Sequence, residues 1–342
     1  MASVVALDLS RAGIRAVQID APYSDRPMIS RYGGVSVPEG TIFDGEIVDP
    51  VRGAKAIKEL WKSAGFTTKR VAFGVGNRKV VVREVTLPAL PRAQRKASLR
   101  YAVEGQIPID LDDAILDFLP LRNVGENMQE GLLVASARSG LEGTVTAIES
   151  AGRIVDAVDF SGFALLRALP AAPGVTRAIV NVGASSTVVV IATGSTPEFV
   201  RVVPSGGDDI SRALERGLGI GFAEAEQEKI NRGLQGGAAT PREVDSENLI
   251  RENAAGLIDS IRNTLNFYIN ARPGAQISDI VLAGGGARLS GLSAVLNRAL
   301  RLPTTFAEPL ETFSVSRRLR ASGLSRWALE LAAPLGVTVG GK

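Results

Sequence analysis

The sequence predicts a two-part α/β protein whose halves repeat one another about a cleft, on three observations. Its 342 residues exceed what one hydrophobic core ordinarily organises, so two domains are expected. A hairpin pattern at the N-terminus recurs near residue 177. Three strand-like runs also end in Gly/Ser turns, which expose consecutive backbone N–H groups suited to phosphate oxygens.

The elements follow in order. Ser3 to Asp20 holds an apolar run, a turn at Arg11-Ala12-Gly13, then alternation through Ile14, Ala16 and Val17, the pattern of a hairpin. Between 49 and 65, Val51, Ala54, Ile57, Leu60, Trp61 and Ala64 share one helical face, and Gly65 ends it. Strands are predicted at 70–76 and 79–87. The second hairpin opens at Arg177, with Asp8 matching Asn181 and Ser10 matching Gly183. Helices are predicted near 206–217 and 222–232. After a Gly-rich break at 233–241 comes a long helix of 243–271, with Leu249, Leu257, Ile258, Ile261, Leu265, Tyr268 and Ile269 on its apolar face. The last apolar strand runs directly into Gly284-Gly285-Gly286.

Composition removes several chemistries. With no cysteine and no histidine, thiol nucleophiles, Cys/His zinc sites and imidazole bases are excluded. A net charge of +3, interspersed along the chain, does not predict a nucleic-acid partner. No apolar run reaches the length of a membrane-spanning helix. The N-terminus lacks a basic segment and carries Asp8 in its first apolar run, so it reads as a strand and not as a signal peptide.

The candidate phosphate turns are 8–13, 181–187 and 284–286. None is a P-loop, because no GxxxxGK[ST] occurs. Asp8 has two readings, a ligand of hydrated metal or a residue that caps its own turn. Glu226 and Lys229 read equally as ligand contacts or as a solvated helix pair. Asp159 is expected to N-cap the helix that follows it. Arg92, Arg95, Lys96 and Arg100 fall at helical spacing as one basic face, either solvated or facing anionic lipid or an acidic partner.

The order of these turns resembles that of the actin and sugar-kinase superfamily, and GFAEAEQEKIN at 221–231 is similar to its A-E-x-x-K helix. Within that superfamily the chain resembles the PilM family of type IV pilus assembly proteins over nearly its whole length. The resemblance rests on Leu87-Pro88 before a basic helix, on Glu104-Gly105-Gln106-Ile107-Pro108, on Leu116-Asp117-Phe118, and on the run from Ala151-Gly152-Arg153 through Val158-Asp159-Phe160 to Leu169. It implies a duplicated ribonuclease-H-like, actin-like fold of two domains. These would be 1–172 plus about 320–342, and 173–319, with an FtsA-type subdomain inserted at about 84–157.

The resemblance further implies that ATP or ADP binds with Mg²⁺, which Asp8 would hold through water. The implied nucleotide contacts are Asp8, Ser10, Arg11, Arg15, Asn181, Gly183, Ser185, Thr187, Glu226, Lys229, Gly284, Gly285 and Gly286. Asn181 stands where the family carries aspartate, which predicts slow or absent hydrolysis. Arg15 stands for a family lysine. The implied partner is a PilN-like bitopic membrane protein whose N-terminal peptide docks at the inserted subdomain, with Arg95 and Arg100 flanking the groove. Other pilus platform proteins and the motor ATPase would join it at the inner face of the cytoplasmic membrane. The rival readings are a metabolite kinase with Asp159 as base, and an FtsA-like division protein. The second is disfavoured because 325–342 reads as a packed helix rather than an amphipathic anchor.

Overall fold

The computed structural model describes residues 2–339 apart from Tyr23, Asp25, Gln106, Ala321 and Ser322, and only the backbone of Arg92, Ala93, Lys96, Ala97, Ala102, Arg318 and Arg320. Strands β1 (Ser3–Ser10), β2 (Gly13–Asp20) and β3 (Met28–Val35) form a meander. A small hairpin, β4 (Ile42–Phe43) and β5 (Glu46–Ile47), leads to helix α1 (Pro50–Ala64) and β6 (Arg70–Val75). Asp49 accepts from the Arg52 amide to start α1, and the left-handed Gly65 ends it. Next come β7 (Val81–Pro88), α2 (Arg92–Ala102), β8 (Ala114–Val124), β9 (Met128–Ala137), α3 (Ser139–Ser150), β10 (Ile154–Phe160) and α4 (Ser161–Ala168).

The second half contains β11 (Thr176–Val182), β12 (Thr187–Thr193), β13 (Thr196–Val203), α5 (Gly207–Leu218), α6 (Phe222–Arg232) and α7 (Pro241–Ala271). It continues with β14 (Asp279–Ala283), a 3-10 turn at Gly285–Arg288, α8 (Leu292–Leu300) and β15 (Thr304–Phe306). β16 (Ser314–Val315), α9 (Arg317–Arg320), a second 3-10 turn (Leu324–Trp327) and α10 (Ala328–Thr338) finish the described chain. No described helix is long and apolar enough to cross a membrane.

Among the described residues, one sheet runs β10-β6-β1-β2-β3-β16 and another runs β13-β12-β11-β14-β15. Both begin with three antiparallel strands and add parallel strands beside the first of them. The hairpins share a register. Asp8 pairs with Arg15 and Asn181 pairs with Val188, so the sequence match of Asp8 to Asn181 holds residue for residue. One hydrophobic core continues from Leu7, Val71 and Leu165 of the first half to Val180, Val190 and Leu282 of the second. Helix α10, predicted to pack on the first half, is buried against α4, β1 and β6.

The small third sheet is ordered β7-β9-β8, with β9 between the other two strands. Two expectations need correction. The boundary near 157 falls inside β10, which pairs with β6 in the large sheet, and α3 packs on α1; the small sheet spans 81–137. In α7 the predicted face is buried at Leu257, Ile258, Ile261, Leu265 and Tyr268, but Ile269 is exposed.

Candidate functional site

The second and third Gly/Ser turns touch. Gly284 has φ of 82°, and a Cβ there would lie 2.3 Å from the Val182 carbonyl oxygen and 2.8 Å from Asn181 Oδ1. Only glycine fits that conformation in that space. Gly286 packs as closely, with a Cβ placed 2.5 Å from Val182 Cγ1. Gly285 differs. A Cβ there meets nothing nearer than Glu330 Cγ at 3.7 Å, so the protein itself leaves this position room for a side chain. Glycine at 285 thus keeps open a surface that the fold does not fill.

Gly206 and Gly207, at the start of α5, close the other side. The Gly207 amide donates to the Gly183 carbonyl at 3.0 Å, and the Asp208 amide to Ala184 at 2.7 Å. Lys229 reaches in from α6, donating to the Gly207 carbonyl at 3.0 Å and to Glu226 Oε2 at 2.6 Å. Glu226 also accepts from Ser211 at 2.6 Å. Lys229 is buried, with 9% exposure, so it is not a solvated helix cation. A buried ammonium persists because a carboxylate and a carbonyl meet its donors.

The first turn joins this group from the other large sheet. Ser10 Oγ donates to the Gly13 carbonyl at 3.1 Å, bracing the turn itself. Arg11 stacks on Phe222 at 3.8 Å, donates to Glu39 at 2.6 Å and lies 3.8 Å from Asp208. Ser185 donates to Asp44, and Ser186 Oγ donates to the Gly76 carbonyl at 3.0 Å. Asp44 holds the left-handed position of the β4–β5 turn, with φ of 50°. Thr187 does not face the cleft: it is fully buried and its hydroxyl donates to Ser205 at 2.8 Å.

Besides Glu226, which has Lys229, four carboxylates near these turns each have an arginine. Asp8 accepts from Arg15 at 3.0 Å, and Arg15 stacks on Trp327 at 4.7 Å. Asp44 is 3.4 Å from Arg78, Asp208 is near Arg11, and Glu330 takes both arms of Arg288 at 2.8 and 2.9 Å. Burial pushes the Asp8 carboxyl above its ordinary value, with Arg15 countering in part. Asp208 is raised for the same reason, countered by Arg11 and Lys229. No described cluster of three acidic side chains could hold a metal ion. The donor set does not fit a protein-held Mg²⁺, which binds through free carboxylates.

Two other predicted roles change. Asp159 does not cap α4, whose N-cap is Phe160; its carboxylate accepts from the Phe160 amide at 2.7 Å and pairs with Arg167 near the other end of that helix. That pairing also removes the free base which a kinase reading needs. Arg95 and Arg100 do not line one groove. Arg95 folds inward, 5.7 Å from the Phe118 ring and donating to Leu90 at 3.1 Å, whereas exposed Arg100 pairs with Asp112 at 2.6 Å. Side chains of Arg92 and Lys96, and Gln106 of the Glu-x-x-Ile-Pro run, lie outside the described residues. Sequence reasoning missed Asp44, Asp208, Trp327 and Glu330. Gly206-Gly207 before the acidic start of α5 was the one signal that pointed to any of them.

Comparison with known proteins fits this geometry. A solved PilM–PilN type IV pilus biogenesis complex has a chain that superposes with a TM-score of 0.87 at 24% identity, covering 99% of each chain. The ethanolamine utilization protein EutJ of Carboxydothermus hydrogenoformans follows at 0.56 and 17% identity, over 100% of this chain and 90% of that one. MreB5 of Spiroplasma citri bound to AMPPNP gives 0.55 and 11%, over 98% and 95%. These likenesses place the fold among the actin/FtsA-like ATPases. Residues 6–341 match the type IV pilus assembly protein PilM family, and the chain belongs to that family.

Proposed function

We propose that this protein is the cytoplasmic, ATP-binding scaffold of the type IV pilus inner-membrane platform, peripheral at the membrane through a PilN-like partner. The observation that carries this reading is the family match across 6–341, supported by the shared chain fold of the PilM–PilN complex. The two large sheets are read as duplicated ribonuclease-H-like domains, and the 81–137 sheet as the FtsA-type insert. The partner is the N-terminal peptide of a one-span membrane protein, gaining main-chain hydrogen bonds from the insert region. Other platform proteins and the motor ATPase are further partners. Titration calorimetry of that peptide against the full chain tests the reading, and absence of binding defeats it.

ATP or ADP is placed where the second and third turns meet, over Gly285 and beside Lys229 and Glu226. Hydrolysis is slow or absent, since the Asn181 amide supplies no negative charge at the position that places metal and water elsewhere in the superfamily. Single-turnover phosphate release measures this. Sustained turnover near 1 s⁻¹, an ordinary enzyme rate of about that order, would sink it.

A further inference from the structure

We infer that the cleft takes nucleotide without a divalent cation, the phosphates being met by Arg15 and the turn amides. This rests on the nucleotide reading above and deepens it. A triphosphate brings several negative charges that something must balance. Mg²⁺ ordinarily does so, keeping most of its waters and needing one or two carboxylates with charge to spare. Here none is spare. Asp8 has Arg15, Asp44 has Arg78, Asp208 has Arg11, Glu226 has Lys229 and Glu330 has Arg288. The second turn offers an amide at Asn181 in the place where its hairpin twin carries Asp8. A dication entering beside Asp8 would face a fixed guanidinium 3.0 Å from the carboxylate it needs.

That guanidinium is built to do the work of the metal. Arg15 is held from two sides, by Asp8 Oδ2 on one nitrogen and by the Trp327 ring at 4.7 Å. A guanidinium is always charged and has five donors in a planar fork. One donor is engaged by Asp8, so others remain to form the paired bonds that phosphate oxygens accept. The stack on Trp327 fixes the fork before any ligand arrives, so less ordering entropy is lost on binding. Asp8 is then a positioning residue for Arg15, not a metal ligand. The turn amides of 184–186 supply the remaining donors, because those of Gly183 and of residues 206–209 are already bonded within the protein.

The test is titration calorimetry of ATP into the full chain, once in EDTA and once in Mg²⁺. The expected result is affinities that agree within about threefold. Binding that appears only with Mg²⁺, or tightens with it by more than about tenfold, overturns the inference and leaves the nucleotide reading standing. No binding in either buffer overturns both. Arg15→Gln is expected to lose at least about tenfold in EDTA, with Arg15→Lys recovering part of it; equal affinity in both variants overturns the role of the fork. Asp8→Asn is expected to weaken binding by the same factor in EDTA and in Mg²⁺, to within about threefold, whereas a loss confined to Mg²⁺ would make Asp8 a metal ligand and overturn its positioning role. Circular dichroism on each variant shows that the fold is kept.

Discussion

At the scale of single residues, the triple glycine separates structural need from ligand need. Gly284 carries a positive φ and a closed space against Val182, so Gly284→Ala should cost about 1–3 kcal/mol of stability, the usual range for strained backbone. Gly285 has ordinary backbone and room for a Cβ. Gly285→Val should therefore leave the melting temperature nearly unchanged while abolishing nucleotide binding, because the branched side chain fills the open surface. Thermal melting and ATP titration on the two variants check both halves. Wild-type affinity in Gly285→Val would remove the third turn from the site. The sequence made the glycines visible as a group, but not which of them the fold itself requires. That distinction depends on the distance from Val182, roughly a hundred residues away along the chain.

At the scale of elements, α7 shows how much a short motif can fix. Thr240 and Glu243 cap each other's amides: the Glu243 amide donates to Thr240 at 3.3 Å and Glu243 Oε2 accepts from Thr240 and Ala239 at 3.0 and 2.7 Å. Arg232 of α6 also pairs with Glu243. Amide donors and that guanidinium hold the Glu243 carboxyl down from about 4.5 to about 2. A depressed folded value contributes stability that is present above the unfolded value and lost as pH falls through the folded one. The stability difference between the wild type and Glu243→Gln should thus be constant from pH 7 to about 5 and shrink between about 4.5 and 2. Denaturant melts at stepped pH measure it, and a difference that persists unchanged at pH 2 would refute the assignment. Helix periods, hairpins and the Gly65 stop of α1 were legible in the sequence because each is set by neighbours within a few residues. Asp159 and Arg95 were not, because Arg167 and Phe118, which also engage them, lie outside their local stretch of chain. The order β7-β9-β8 was hidden for a similar reason, since alternation along a strand does not say which strand lies beside it.

At the scale of the whole molecule, two kinds of connection have different strengths. The two large sheets share a continuous apolar core through α4 and α10, and ties such as Ser186 to Gly76 add to it. The small sheet has a core of its own, in which, among the described residues, Leu87, Leu99, Val103, Phe118 and Leu133 are buried together. Its other face joins the main core through Leu132, Val82, Leu121 and Val134, with β7 and β8 beside β13, and Arg272 at the end of α7 adds a polar tie to the second half. Arg272 donates to Glu84 of β7 at 2.7 Å and to the Glu198 carbonyl at 3.1 Å, and stacks on Tyr268 at 4.8 Å, whose hydroxyl donates to Glu198 at 2.5 Å. Regions with few buried apolar contacts open at lower free energy than the global transition. Native-state hydrogen exchange should therefore find β8 and β9 exchanging through sub-global opening while β1 and β11 wait for global unfolding. Arg272→Ala should lower protection in β7 and its neighbour β9, because it cuts the tie to α7 without touching the small core, and leave β1 unchanged. If protection in the small sheet equals that of β1, the insert is not a separate unit. If Arg272→Ala lowers protection everywhere alike, the arginine supports the whole fold and does not couple the insert to the half that carries the glycine turns.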